Sequence, residues 1–514
     1  MIRSTLSLAA ACAAFTFSTT AHAAADYHDV AEMQAALSAL DGAASGRMRV
    51  VTIGRSFNDL PIQAVHIGTL PYGDVSTRSA LMIECGTHAR EWASPELCLR
   101  FLEKFAEAAE ITDPGRVDDV LEHTDLWVIP MVNPDGRVFD DPGGGDPTNF
   151  SQNTFFHPAH NDAPGWRDNL QPASCPPPLD GPPPIGIDLN RAYSEGWDDG
   201  IDDCRHNQYH GEYPFEAVEA RVMRRFVNNH MISMAASIHA NGQCLNSLNA
   251  PWPLADNARS VWDGAVTSAT EELDTSNACM GNGVGQFTSW LANPSDVASQ
   301  LDESSERGVQ SFLFELPIQN YASSAYIETP GDGSNHFHPS SAAYVPSFED
   351  PFADTLLYLA EQARMPWCPL DPVTLAPSPT CADDFGLTGS KIATCEGCIG
   401  ALDFRDTGLG EVREVLPAGD QRVVFRVQNF DATANGDVET SVRVLSRGGM
   451  RPGWRIDLID DRVHALAPGE AKTVSIGHTF EPGREYEVSV LLTPVTSSDV
   501  NPDNDHHVFR FETP

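Results

Sequence analysis

The apolar run Ala80-Leu81-Met82-Ile83 gives way almost at once to a helix-like stretch over residues 93–105. The junction between them reads Gly86-Thr87-His88-Ala89-Arg90-Glu91-Trp92. A short continuous apolar run is the pattern of a strand buried on both faces, and a strand feeding directly into a helix argues for a layered α/β fold. His88 and Glu91 stand at that junction. Imidazole nitrogen and carboxylate oxygen are both Zn²⁺ ligands, at about 2.0–2.2 Å. Two of them at the end of one strand can point at one spot in front of the sheet. Taken alone, the spacing is equally that of a surface His beside an acidic helix start.

A catalytic zinc has three protein ligands and an open position, so a third ligand is expected from another strand end. Residues 231–238 read as a strand that ends in His239. A second strand-like run, Ser311-Phe312-Leu313-Phe314-Glu315-Leu316, carries a single carboxylate. A Glu in such a run is costly to bury unless it is paired or catalytic; the competing reading is an edge-strand Glu facing water. His88, Glu91 and His239 are therefore the expected metal ligands, with Glu315 the expected base beside them.

At these residues the chain resembles the zinc carboxypeptidases of the carboxypeptidase A type. The resemblance is carried by residues 86–92, Ser237-Ile238-His239 and Phe314-Glu315-Leu316. It continues in Pro130-Met131-Val132-Asn133-Pro134-Asp135-Gly136, Trp166-Arg167, Gly186-Ile187-Asp188-Leu189-Asn190-Arg191, Tyr209-His210-Gly211 and Phe215-Glu216-Ala217-Val218-Glu219. It runs from about residue 27 to about residue 364 and implies a mixed sheet flanked by helices.

It also implies roles for the residues. Zinc, one ion per catalytic domain, would act as Lewis acid and lower the pKa of its bound water. Glu315 would take that proton and pass it to the leaving amine. Arg167 would stabilise the oxyanion; a loop Arg on the surface is the plainer alternative. Asn190 and Arg191 would hold the free carboxylate of the substrate, a task suited to the planar guanidinium fork, unless Arg191 is merely paired with Asp188. Arg90 would extend the subsite or neutralise the acidic ligands. The clamp makes the expected activity that of an exopeptidase acting on peptide or protein C-termini.

Departures from the family pattern bear on specificity. The mobile capping Tyr of many members is absent from Ala278-Cys279-Met280-Gly281-Asn282-Gly283-Val284-Gly285-Gln286. Asn241 stands where many have a Tyr two residues beyond the third ligand. The pocket floor is expected at Thr288 and Ser289, which dictates neither a basic nor an aromatic preference.

Residues 1–23 read as a secretory signal peptide: a basic start, an apolar stretch and a small-x-small site at Ala21-His22-Ala23. Because the resemblance to the catalytic domain begins at Tyr27, no long propeptide is expected after it. No later segment is apolar for long enough to span a bilayer. The expected location is secreted or periplasmic.

The 514 residues carry 72 acidic and 32 basic side chains, a net charge of −40, which repels nucleic acid and anionic lipid. Of eleven cysteines, Cys12 leaves with the signal peptide, and the remainder are expected in disulfides. The family resemblance pairs Cys175 with Cys204. Cys244 is expected with Cys279. Cys368, Cys381, Cys395 and Cys398 are expected to staple a linker rather than bind zinc. Cys85 and Cys98 are either bridged or buried.

Residues 27–366 alternate strand-like and helix-like segments and are expected to form the catalytic domain; 367–400 read as a Pro/Cys-rich linker. Within 401–514, period-two runs at residues 422–427, 441–445, 472–476, 485–492 and 507–511 argue for a small all-β sandwich whose partner the sequence does not name. Three other activities compete with the exopeptidase: a zinc amidase on peptidoglycan stem peptides, a deacylase of N-acyl amino acids, and a non-catalytic binding protein. The presence of all four residues, His88, Glu91, His239 and Glu315, argues against the last.

Overall fold

The computed structural model describes residues 27–68, 78–107, 114–141, 166–173, 186–204, 206–240, 242–247, 252–269, 271–273, 285–292, 295–296, 303–304, 309–317, 341–366, 368, 384–396, 398–407, 411–431, 433–448, 451–495 and 505–514. The expected signal peptide lies outside them.

The chain opens with α1 (Val30–Leu40), α2 (Ala43–Gly46), β1 (Met48–Arg55) and β2 (Pro61–Ile67). Next come β3 (Ala80–Cys85), α3 (Ala93–Glu107), α4 (Pro114–His123), β4 (Asp125–Ile129) and α5 (Pro134–Asp140). After α6 (Val218–Asn229) follow β5 (Ile232–Ala240), β6 (Cys244–Ser247), α7 (Trp252–Ala265), α8 (Phe287–Ala292), the short pair β7 (Ser295–Asp296) and β8 (Glu303–Ser304), β9 (Gln310–Leu316) and α9 (Ser341–Gln362).

Seven strands form one mixed sheet in the order β1-β2-β4-β3-β5-β9-β6. Its centre, β4-β3-β5-β9, is parallel, and both margins are antiparallel. Central strands covered on both faces need no alternation of polarity, which is why β3, β4 and β5 are buried at every position. Successive side chains still go to opposite layers. Leu81, Ile83, Leu126 and Val128 join the core beneath α1, α3, α4, α7 and α9, while Ala80, Met82, Trp127 and Ile129 join the core beneath α6 and α8. Glu84, Ser237, His239 and Glu315 share the parity of this second layer. The mixed α/β sheet expected from the resemblance is the one observed.

The C-terminal part is all-β. It comprises β10 (Phe385–Ala393), β11 (Asp403–Asp406), β12 (Val412–Val415), β13 (Gly419–Asn429), β14 (Gly436–Gly448), β15 (Arg451–Leu466), β16 (Ala471–Phe480), β17 (Arg484–Pro494) and β18 (His506–Thr513). A three-stranded sheet, β10-β13-β16, faces a six-stranded one, β11-β12-β18-β17-β14-β15, across one apolar core.

One boundary needs correction. The expected linker 367–400 contains β10, so the sandwich begins before residue 401. β10 is buried at every position, with the sandwich on one side and the α/β layer on the other. Ser79 Oγ donates to Thr388 O at 3.2 Å, and a side chain at Gly389 would meet the Met231 backbone.

Cys85–Cys98 and Cys395–Cys398 are disulfides. Cys204, Cys244 and Cys368 are disulfide-bonded as well; Cys175 and Cys279, the partners expected for Cys204 and Cys244, lie outside the described residues, as does Cys381. Among the described residues no helix is long and apolar enough to cross a membrane.

Candidate metal centre

The site forms where β3, β5 and β9 end. The backbone turns sharply after β3 at Gly86, whose φ is +65° and whose surroundings leave no room for a side chain beside Pro95 and Met131. That turn carries His88 and Glu91 in front of the sheet. Asn133, in the turn after β4, holds this loop to the next one. Its Nδ2 donates to Thr87 O at 3.2 Å and to Asp168 O at 3.0 Å, and its Oδ1 accepts from Gly136 N. Ala89 N donates to Arg167 O at 3.0 Å, which fixes the segment of Arg167 against the loop of His88.

His88, Glu91 and His239 converge. One ligand atom from each lies within 4.8 Å of the others, and all three residues are buried. His88 Nδ1 is 2.6 Å from Glu91 Oε1. His239 Nδ1 is 3.1 Å from both Glu91 Oε2 and His88 Nδ1. Two imidazoles and a carboxylate with their donor atoms turned inward are the donor set of a zinc site with an open position, so the residues fit the ion.

The charges agree with that geometry. Burial works against the Glu91 carboxylate, but the charges of His88 and His239 and their hydrogen bonds outweigh it and hold the acid well below the usual carboxylate range. Burial pulls His239 down, and Glu91 more than reverses this, leaving the imidazole pushed up to about 9. His88 is lowered by burial and by the positive charge of Arg167.

Glu315 is the register partner of His239 on the neighbouring parallel strand. It is not on a sheet edge, because β6 covers the far side of β9. The turn at Gly242 passes so closely that a side chain there would meet Glu315 Cβ at 2.6 Å. Its charge is felt at both His239 and Arg191.

Arg167 is an interior residue, not the surface Arg of the plainer alternative. Its Nε donates to Asp188 Oδ2 at 2.9 Å. Asp188 is the hub that sequence reasoning missed: its other oxygen accepts from Asn190 N at 2.9 Å and lies 3.2 Å from His88 Nε2. The alternative pairing of Arg191 with Asp188 is thus taken by Arg167 and His88. Its only sequence signal was an acid two residues before Asn190.

Asn190 Oδ1 accepts from Phe287 N at 3.0 Å, which turns its amide nitrogen toward His239 Nε2 at 3.5 Å. Arg191 is partly exposed, with Nη1 on Asn190 O at 2.7 Å. Gly285, at φ +57°, lets its chain approach Arg191 O where a side chain would clash at 2.1 Å. Arg90 is buried and brought down to about 10, by burial first and then by the like charge of Arg167. Thr288 and Ser289 open α8 and are buried. Asn241 and residues 278–284 lie outside the described residues.

The family model for zinc carboxypeptidases (Peptidase_M14) matches residues 33–352. The chain belongs to the zinc carboxypeptidase family. Metallocarboxypeptidase A of Trichophyton tonsurans is 28% identical over 235 residues, 43% of this chain and 47% of that protein. The inactive metallocarboxypeptidase ECM14 of Paracoccidioides brasiliensis (strain Pb03) is 26% identical over 194 residues, 36% of this chain and 27% of that protein. The chain spans about half or less of the length of these curated relatives. Among solved structures, carboxypeptidase A from Helicoverpa armigera aligns with a TM-score of 0.46 at 20% identity, covering 65% of this chain and 73% of that one.

Proposed function

We propose that this zinc carboxypeptidase family member is an active exopeptidase that releases the C-terminal amino acid from peptides. The observation that supports it most is the convergence of His88, Glu91 and His239 with Glu315 in register beside them. Zinc held by the three ligands would polarise the scissile carbonyl and make a bound water acidic.

The remaining work falls to this chain's own side chains. Glu315 accepts the proton of the attacking water and returns it to the leaving amine. Arg167, fixed through Nε by Asp188, directs its positive charge at the developing oxyanion. Asn190 and Arg191 bind the terminal carboxylate, which makes recognition of a free C-terminus a condition of cleavage. Arg90 balances the buried acids and borders the next subsite. Thr288 and Ser289 floor the side-chain pocket with small neutral groups. Export to an oxidising compartment is in keeping with the Cys85–Cys98 and Cys395–Cys398 disulfides.

The test is hydrolysis of blocked dipeptides ending in Phe, Leu, Arg, Glu and Ala, with and without a zinc chelator, by the purified protein and by Glu315→Gln. Chelator-sensitive release of the last residue, lost in Glu315→Gln, is expected. Zinc binding without release from any dipeptide would turn the reading toward a zinc amidase or deacylase.

A further inference from the structure

His88 and His239 both turn Nδ1 toward Glu91, so Nε2 is the outer nitrogen of each ring. What stands behind the two outer nitrogens differs. Behind His88 is a carboxylate, Asp188, at 3.2 Å. Behind His239 is a hydroxyl, Ser237 Oγ, at 3.0 Å. That hydroxyl donates to Glu84 Oε1, while the other oxygen of Glu84 accepts from Thr87 Oγ1 at 2.6 Å. Glu84 and Ser237 are register partners on β3 and β5, and each is only 1% exposed.

We propose that Glu84 is a positioning residue for the metal centre: acting through Ser237, it fixes the ring orientation and the tautomer of His239. This rests on the zinc-ligand reading above.

The proton pattern follows from donor counts. An ionised carboxylate only accepts, and a serine hydroxyl has a single hydrogen to give. Ser237 gives that hydrogen to Glu84, so toward His239 it can only accept. Nε2 then keeps its proton, and Nδ1 is the nitrogen that would exchange its proton for the ion. Neutral imidazole has one donor and one acceptor nitrogen, and the bond made by the outer nitrogen decides which is which.

The amide nitrogen of Asn190 also approaches Nε2, and it would favour the opposite tautomer. It stands at 3.5 Å against 3.0 Å for the hydroxyl, so the hydroxyl prevails. The two histidines are thereby backed by carboxylates in different ways, one directly and one through a hydroxyl. Burying a Glu inside a central strand is costly unless its oxygens are hydrogen-bonded, and both oxygens of Glu84 accept from hydroxyls, those of Ser237 and Thr87.

The experiment is a zinc competition titration against a chromophoric chelator. It uses the purified full chain as wild type, Ser237→Ala, Ser237→Thr, Glu84→Ala and the double alanine variant, with thermal unfolding of each zinc-free protein alongside. Ser237→Ala is expected to weaken zinc binding by about 10–100-fold. Ser237→Thr, which keeps the hydroxyl, is expected to restore it. Glu84→Ala is expected to weaken zinc, and the double variant to lose no more than the larger single loss.

Wild-type zinc affinity in Ser237→Ala would overturn the proposal. So would an equal loss in Ser237→Thr and Ser237→Ala. Full additivity in the double variant would do the same, because Glu84 would then act by another route. If Glu84→Ala does not fold, the Ala and Thr variants of Ser237 decide the matter. A wild type that binds no zinc would overturn the ligand reading itself, whereas failure of the relay alone leaves wild-type zinc intact.

Discussion

The two ends of the central parallel strands both bury charge, and they do so differently. Where β3, β5 and β9 finish, three donor atoms face one another within 4.8 Å, backed by Asp188 and by Ser237 with Glu84. Where the same strands start, the charges are covered by the sandwich. Asp125 opens β4 with Arg78 Nη2 at 2.7 Å and His66 Nε2 at 3.4 Å. β10 lies across this end and brings Lys391, which is fully buried. Asn229, at the end of α6, exchanges hydrogen bonds with Leu402 and accepts from Gly400 N. Buried charge alone therefore does not mark a functional site. The mark is a set of electron-pair donors turned toward one point, which needs a cation to complete it.

The largest effect expected is at the upper end. Glu315→Gln should lower kcat about 10²–10⁴-fold with zinc content unchanged; steady-state kinetics on a blocked dipeptide measure this, and unchanged kcat would remove Glu315 from the chemistry. Arg191→Ala should cost about 2–5 kcal/mol in kcat/KM toward substrates with a free carboxylate. An amidated C-terminus should abolish the difference between the two proteins.

At the lower end the effects should be on stability and leave zinc alone. Burial brings Lys391 down to about 8 from an ordinary 10.5, with Asp125 pulling the other way. The unfolded chain then binds more protons than the folded one between about pH 8 and 10.5, so stability rises with pH across that window. Lys391→Met should remove this rise and raise the melting temperature at pH 7, by at most about 3 kcal/mol in stability. Denaturant melts of both proteins at pH 7 and 10 check it, and a flat wild-type profile would contradict it.

The smallest effect is at the start of the chain. His28 Nδ1 lies 2.8 Å from Glu96 Oε2. Glu96 raises His28 above its ordinary 6.5 despite the opposing burial, and His28 holds Glu96 below its ordinary 4.5 against burial. The His28 contribution is complete below pH 6.5 and is lost as pH rises through its raised value. The Glu96 contribution is present above pH 4.5 and is lost as pH falls through its lowered value. The pair should therefore stabilise most between pH 4.5 and 6.5. His28→Asn should cost about 1 kcal/mol or less there, and the cost, read from denaturant melts, should shrink as pH rises through the raised His28 value.

The same contrast governs what was legible in the sequence. His88, Glu91, His239 and Glu315 stood out because they punctuate apolar runs, and the structure brings them together. Asp188 and Glu84 did not, because their value comes from partners roughly a hundred residues or more away, His88 and Ser237. β10 was hidden in a Pro- and Cys-rich stretch, and burial on both faces removed the alternation that identifies a sandwich strand. β15 was missed for the opposite reason. It is an edge strand whose outward face mixes Trp454, Ile456, Ile459 and Val463 with charges and glycine, a composition that reads as loop. Of the five sandwich strands that were read, those at 441–445, 472–476 and 485–492 alternate buried and more exposed positions, and those at 422–427 and 507–511 are β-branched and aromatic runs buried at consecutive positions.

The contrast between the two ends is tested most directly by zinc content after the same change at each, carboxylate to amide. Purified wild type, Glu91→Gln and Asp125→Asn are dialysed against a weak chelator and their zinc is measured. The expected result is about one zinc per chain in wild type and Asp125→Asn and none in Glu91→Gln. Zinc retained by Glu91→Gln, or lost from a folded Asp125→Asn, would contradict it.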